Sequence, residues 1–379
     1  MPTRRNIFEI LAGGTAIATT GCAAAGPDPV AAWSNPGAGE RDPRRWALAH
    51  AILAPNPHNR QPWLAHLSGA DEVIFYADTA RLLPATDPPN RQITLGCGAF
   101  LELFDLAARQ VGQRAEISLW PDGEPQPTLD SRPVARIRLV ADSATARDPL
   151  FTQIVHRHTN RAAYDLANPP TPQEHQAIIA SAAAEPVVTA GVVTEAKPRA
   201  ALIDIGWRGW NIESHTPSTH MESVRLLRVG AAEIAKYRDG VSLSGPMFEF
   251  LKASGMLTPE SLADPDSSGA KSNDKALRKA LEATPAFFWL QTADNSRATQ
   301  IAAGRAYARA HLTATSLGLC FQPWSQTLQE FPEMAELYAA TQAQLGATPQ
   351  APLQMLVRLG RAKFAPPAPR RGLAEHLRA

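Results

Sequence analysis

The feature that most restricts how this chain can fold is an internal repeat. Two long helix patterns, Gln92–Val111 and Arg297–Gly318, overlay with one constant offset of 206 residues. Gly98, Leu106, Ala108 and Gly112 then fall on Gly304, Leu312, Ala314 and Gly318, and Val111 falls on Leu317. Before each helix lies a short aromatic strand pattern ending in Ala-Asp, IFYAD at 74–78 and FFWLQTAD at 287–294. β-rich stretches follow, Glu116–Trp120 and Val134–Val140 in the first half and Gln354–Leu359 in the second. Four identities between two Ala- and Leu-rich helices can arise by chance. The shared order of strand, helix with a closing glycine, and strand argues for duplication. The expected fold class is therefore α+β, with two related lobes at 44–145 and 146–379.

The remaining elements read as follows. Residues 27–43, rich in Pro, Gly and Ala, read as a linker. Residues 44–54 and Leu150–His158 have helical period, and another helix begins near Pro172 with Glu174 in its first turn. The second lobe carries an insertion at about 204–284. A helix is expected there over His220–Arg238, with Val224, Leu227, Ala231 and Ile234 on one face. The polar stretch 264–275 is expected to be mobile.

The 379 residues carry 37 Lys+Arg against 36 Asp+Glu, a net charge of +1, which removes the electrostatic case for a nucleic-acid partner. Three cysteines cannot build a disulfide framework. Residues 1–26 read as an address. Arg4 and Arg5 form a basic head, no charge occurs from Ile10 to Gly26, and the run is too weakly apolar for a transmembrane helix. Thr3-Arg4-Arg5 resembles a twin-arginine export signal, and Cys22 after Gly21 resembles a lipoprotein cleavage box, with Thr19 where an aliphatic residue is usual. The expected location is the periplasm or cell envelope, with a lipid anchor at Cys22 as a further option.

Four local sequences could carry chemistry. The first, Ala54–Trp63 (APNPHNRQPW), is a proline-stiffened polar loop able to present amides to a planar ring, or a capped helix end with Trp63 in the core. In the second, His156–Arg161 (HRHTNR), Arg157 and Arg161 read as one helical face. With Thr159 they form a phosphate clamp, or else a solvated surface. His156 and His158 are badly spaced for zinc. The third, Gly318–Gln326 (GLCFQPWSQ), suits a flavin or nucleotide face, or a C-cap with buried aromatics. The fourth runs from Leu359 to Arg371 and ends a stiff Pro-rich tail in two guanidiniums, a second phosphate anchor or a basic tail. No P-loop, G-x-S-x-G, H-E-x-x-H or G-x-G-x-x-G occurs, and no nucleophile is marked.

Together these segments resemble the FMN-dependent nitroreductase superfamily, in particular its single-chain Acg-like branch, from about residue 41 to the C-terminus. The resemblance implies central antiparallel sheets flanked by helices, and a monomer whose two lobes imitate a nitroreductase dimer. It implies one FMN per chain and no metal. Pro55, Asn59 and Gln61 would approach the ring and ribityl chain, Arg157, Thr159 and Arg161 the phosphate, and Pro323, Trp324 and Ser325 the reactive edge. Arg370 and Arg371 would close the phosphate site. Gly360-Arg361 stands where the family has Gly-Tyr. The insertion, with His220, Glu222, Arg225 and Arg228, would form a lid. The implied activity is flavin-mediated reduction of a small nitroaromatic or quinone acceptor, by NAD(P)H or another donor. The alternative is a flavin-sequestering protein with little turnover.

Overall fold

The computed structural model describes residues 26–378, so the leader and Cys22 lie outside the described residues. The first lobe runs α1 (Pro43–Ala51), β1 (Trp63–Ser68), β2 (Glu72–Ala77), α2 (Arg91–Gln110), β3 (Gln113–Leu119) and β4 (Pro133–Ala141). The second runs α3 (Pro172–Ala182), β5 (Val188–Val193) and α4 (Ala196–His215), and then enters the insertion. The insertion comprises α5 (Pro217–Arg225), β6 (Leu227–Val229), α6 (Ala231–Tyr237), β7 (Val241–Leu243), α7 (Pro246–Ala253), α8 (Pro259–Ala263) and α9 (Ser268–Glu282). The lobe closes with β8 (Ala286–Thr292), α10 (Arg297–Ser316), β9 (Cys320–Pro323), α11 (Ala335–Gln344) and β10 (Leu353–Gly360).

The two main sheets have the same topology. The first has strand order β1-β2-β4-β3 and the second β5-β8-β10-β9, antiparallel throughout. In each lobe the long helix connects the second strand to the third. Both helices are buried along most of their length, which explains why α2 is apolar nearly all round. They meet at glycines. A Cβ on Gly98 would run into the Ile301 carbonyl and stand 3.0 Å from Gly304 Cα; a Cβ on Gly304 would run into the Leu95 carbonyl and stand 2.9 Å from Gly98 Cα. Each contact maps onto the other by the 206-residue offset, since 304 − 98 = 301 − 95 = 206. The repeat thus becomes a near-symmetric helix crossing, in which only glycine lets the two backbones approach. Ionic contacts flank it: Glu102, fully buried, accepts from Arg305 at 2.9 Å and from Arg309 at 2.7 Å.

Several expectations need correction. Residues 27–43 pack into the fold: Trp33 is buried and its indole N–H donates to Ala368 O at 2.8 Å. Leu150–His158 holds only a short 3-10 turn, Pro149–Gln153. The helix expected over His220–Arg238 is broken, because Leu227–Val229 pairs in parallel with Val241–Leu243 and Gly230 takes φ 82°. Residues 264–275 are largely helical, since Ser267 caps α9 by accepting from Ala270 N. Strands β1, β5 and β9 had no clear sequence signal. Among the described residues no helix is long and apolar enough to cross a membrane.

Candidate functional site

The loop between α1 and β1 brings the first motif to the lobe boundary. Its prolines prevent a regular helix, and His58, Asn59 and Gln61 all take left-handed backbone conformations (φ 49°, 51° and 50°). For non-glycine residues each such conformation costs on the order of 1–3 kcal/mol, so side-chain bonds must hold the loop. Asn56 Oδ1 accepts from Gln61 N at 2.7 Å. Gln61, wholly buried, donates Nε2 to Arg238 O at 2.8 Å and accepts from Arg371 N at 2.9 Å. Asn59 donates to Pro369 O at 3.0 Å and its carbonyl accepts from Arg370 Nη1. Pro55 is buried beneath the loop. The Gln61 amide, expected near a ring, is therefore committed to joining loop, C-terminal tail and insertion.

Beside this loop stand two buried arginines from distant parts of the chain. Arg157 Nη2 donates to Leu53 O at 2.9 Å; Arg370 Nη2 reaches Ala54 O at 3.3 Å and Leu53 O at 3.5 Å. Both guanidiniums lie over the Trp33 ring, at 5.9 and 5.1 Å from its centroid. Arg157 Nη1 faces His311 Nδ1 at 3.5 Å, which the Tyr307 hydroxyl also approaches at 3.3 Å. Among the described residues no carboxylate lies within 4.0 Å of Arg157, Arg161, Arg370 or Arg371. The Nε atoms of Arg157, Arg370 and Arg371 and the Nε2 of His158 are buried without a partner. Burial pulls the Arg157 pKa down to about 10. Burial, and then the charge of Arg157, pulls Arg370 down to about 9. Both remain cationic at neutral pH, an arrangement that calls for an anion.

The clamp motif is not helical. Thr159 forms a parallel bridge with Phe321, and Asn160 N donates to Phe321 O at 3.0 Å, so residues 157–161 run alongside β9. The arginines are therefore not helical i,i+4 neighbours: Arg157 is buried and Arg161 exposed. Arg161 is exposed, although desolvation by surrounding protein lowers its pKa.

The third motif divides. Pro323 ends β9, half-buried and opposite Val357. Trp324, expected beside a ring, is 1% exposed in a core with Leu202, Leu281, Phe287 and Leu328, and donates its indole N–H to Gly206 O at 3.0 Å. It packs on α4 because Gly206 leaves room there. Ser325 Oγ is bound to the Leu356 backbone, donating at 3.2 Å. Arg371 is likewise held inside the fold, with Nη2 donating to Gln61 O at 2.8 Å and lying 3.2 Å from His376 Nδ1.

The insertion closes over the loop of the first lobe. The Glu222 carboxylate accepts from Ala85 N and Thr86 N, both at 2.9 Å, and from Thr86 Oγ1 at 2.6 Å. Arg81 pairs with Asp239 at 2.8 Å, and Asp239 also holds Arg228 at 2.8 Å. His220 meets Ala263 O at 3.0 Å, inside the insertion. Arg225 is exposed, on the rim of a cavity of about 560 Å³ between α5 and Leu82–Ala85. Behind the loop, His58 Nε2 lies 3.1 Å from Ser223 Oγ and 4.0 Å from buried Glu213. Burial raises Glu213 to about 7 and lowers His58 to about 4, so His58 is neutral near neutral pH while Glu213 is part protonated.

Sequence reasoning missed Trp33, His58, Glu213, Tyr307 and His311. The last two are spaced i,i+4 on α10, a signal that could have been read; the others come together only through the tertiary fold. Among the described residues no group of three or more His, Cys, Asp or Glu side chains could hold a metal.

No protein-family model matches the chain. It is 27% identical over 342 residues, 87% of this chain and 90% of the relative, to the "Putative NAD(P)H nitroreductase Rv3131" of Mycobacterium tuberculosis. It is 37% identical over 76 residues, 20% of this chain and 23% of the relative, to the "Putative NAD(P)H nitroreductase acg" of the same organism. Among solved structures it aligns with the FMN-dependent nitroreductase NfnB from Mycobacterium smegmatis in complex with NADPH, at TM-score 0.36 and 18% identity over 60% of this chain and 96% of that one. The chain is thus a relative of the Mycobacterium tuberculosis proteins named as NAD(P)H nitroreductases, Acg among them, in keeping with the resemblance its motifs carry.

Proposed function

We propose that the chain is an FMN-binding oxidoreductase of nitroreductase type. The observation that carries this reading is the pair Arg157 and Arg370: buried, cationic, without a carboxylate, and with orphaned Nε donors. A phosphate dianion would supply the missing counter-charge, so the residues fit FMN. FMN would supply the redox chemistry, passing electrons from a donor such as NAD(P)H to a small nitroaromatic or quinone acceptor. Arg157 and Arg370 would hold the phosphate, with Thr159 beside them. Arg161 would offset negative charge gathering on the ring. Pro55 and the loop around Asn59 and Gln61 would wall the ring site, with Pro323 and Ser325 on the opposite side. Arg371 would act through Gln61, fixing the loop. One chain would bind one FMN as a monomer whose lobes stand in for two subunits, and the twin-arginine leader would export it already folded.

A second reading is flavin sequestration, favoured by the way the insertion is fastened to the first lobe through Glu222, Asp239 and Gln61. Such fastening would slow exchange of donor, acceptor and flavin. The visible spectrum of the purified chain tests both: a yellow protein releasing FMN is expected. A colourless protein that takes up no FMN overturns both readings. Stopped-flow mixing with NADPH then separates them, with bleaching in seconds expected for a reductase and none for a store.

A further inference from the structure

We propose that the cavity between α5 and Leu82–Ala85 is a binding site for a small apolar carboxylic acid, which would join the insertion to the first lobe. The cavity has a volume of about 560 Å³. Small-molecule sites span about 300–1,000 Å³. Its apolar walls come from both sides of the seam: Leu82, Leu83 and Pro84 from the first lobe, and Pro217, Met221 and Leu226 from the insertion. Such walls suit a hydrocarbon or aromatic body. The polar side chains are few: Arg60, Ser218, Glu222 and Arg225.

The charged groups decide the sign of the occupant. The Glu222 carboxylate is engaged with the wall, Oε1 accepting from Ala85 N and Oε2 from Thr86 N and Thr86 Oγ1. Arg60 donates Nε to Arg81 O at 3.2 Å and Nη2 to Ala80 O at 3.1 Å. Its Nη1 has only the Asp239 carboxylate, at 3.7 Å, beyond hydrogen-bond distance. Asp239 is already shared by Arg81 and Arg228, each at 2.8 Å. Burial, and then the charge of Arg81, pulls the Arg60 pKa below the ordinary arginine value, as expected for a cation short of counter-charge. Arg225 is exposed, and among the described residues no carboxylate lies within 4.0 Å of it. Arg60, Arg81, Arg225 and Arg228 thus meet only Asp78, Glu222 and Asp239 along this seam, which leaves Arg225 without a partner. A carboxylate matches the planar guanidinium fork, while an apolar body fills the walls and a bare inorganic anion would leave them wet. Neither Arg157 nor Arg370 lines the cavity, so the site is separate from the proposed phosphate site.

The test uses the full chain with benzoate and octanoate as ring-bodied and chain-bodied probes, and needs no flavin, so this inference and the FMN reading fail separately. At least one acid is expected to bind with a Kd of about 1 mM or tighter by calorimetry. Because the walls belong to two elements, binding is expected to slow hydrogen exchange in both 80–86 and 217–226. The neutral amide of the same acid is expected to bind roughly tenfold or more weakly, and Arg225→Gln to weaken the acid by a similar factor with Tm unchanged in its absence. Failure of both acids to bind overturns the proposal, as does binding that leaves exchange in either segment unchanged. An acid that binds no better than its amide, or is insensitive to Arg225→Gln because it settles at Arg157 and Arg370, overturns it too.

Discussion

Replacing Arg157 with Met should move stability and flavin affinity in opposite directions. In the folded chain without flavin, burial lowers the Arg157 pKa from its ordinary value to about 10. That shift corresponds to about 3 kcal/mol of cost for keeping the group charged. The group is a base whose folded pKa is depressed, so the cost is complete below pH 10 and fades as pH rises from there towards the ordinary arginine value. Against it stands the bond to Leu53 O, roughly 1.5 kcal/mol, whose acceptor keeps a weaker donor in Arg370. Met fills much of the same volume, so the flavin-free variant should be about 1–2 kcal/mol more stable at pH 7. It should bind FMN roughly 30- to 150-fold more weakly, because charge-assisted bonds to phosphate are lost. Urea unfolding followed by tryptophan fluorescence reads the first quantity, and quenching of FMN fluorescence reads the second. A variant that is less stable without flavin and binds FMN as well as the parent would show that Arg157 is a structural residue, and would refute the anion site.

Gly98→Ala or Gly304→Ala should each lower stability by about 2–3 kcal/mol or more, read as a drop in Tm, because the added methyl meets backbone. The double variant should cost less than the sum, since one parting of the helices relieves both clashes. Glu213→Gln should flatten the pH profile of stability. An acid whose folded pKa is raised to about 7 binds more protons folded than unfolded, so parent stability falls as pH rises from 4.5 to about 7, by about 3 kcal/mol at most. Denaturant midpoints at pH 5 and pH 8 check this, and equal slopes in parent and variant would count against it. Trp324→Phe should cost about 1.5–3 kcal/mol through a void and an unpaired Gly206 carbonyl, while FMN content per folded protein stays unchanged. A loss of flavin at unchanged stability would return Trp324 to the site.

Much of the fold was legible because its signals are local. The capping box of Thr171 and Glu174 marks the start of α3, and the aromatic run 286–292 is a strand as its pattern suggests. Glycine 98 and its mate 206 positions later were visible as a repeat, although not as a crossing. Local period misled where a tertiary partner intervened. Leu227 has helical spacing with Val224 and Ala231, but Leu227–Val229 pairs as a strand with Val241–Leu243. Trp324 reads equally as a ring contact or a core residue until Gly206 supplies both space and an acceptor.

What the sequence determined by itself is a duplicated α+β unit with a few polar, arginine-bearing motifs between its elements, because periodicity, capping and turn chemistry act between near neighbours. Only the tertiary structure decided which arginines matter together. Arg157 and Arg370 are 213 positions apart, and Trp33 is farther still from Arg370 (370 − 157 = 213; 370 − 33 = 337). Long-range packing alone removes their carboxylate partners, withdraws water from both guanidiniums, and leaves a concentrated positive charge that a composition of nearly balanced charge does not reveal.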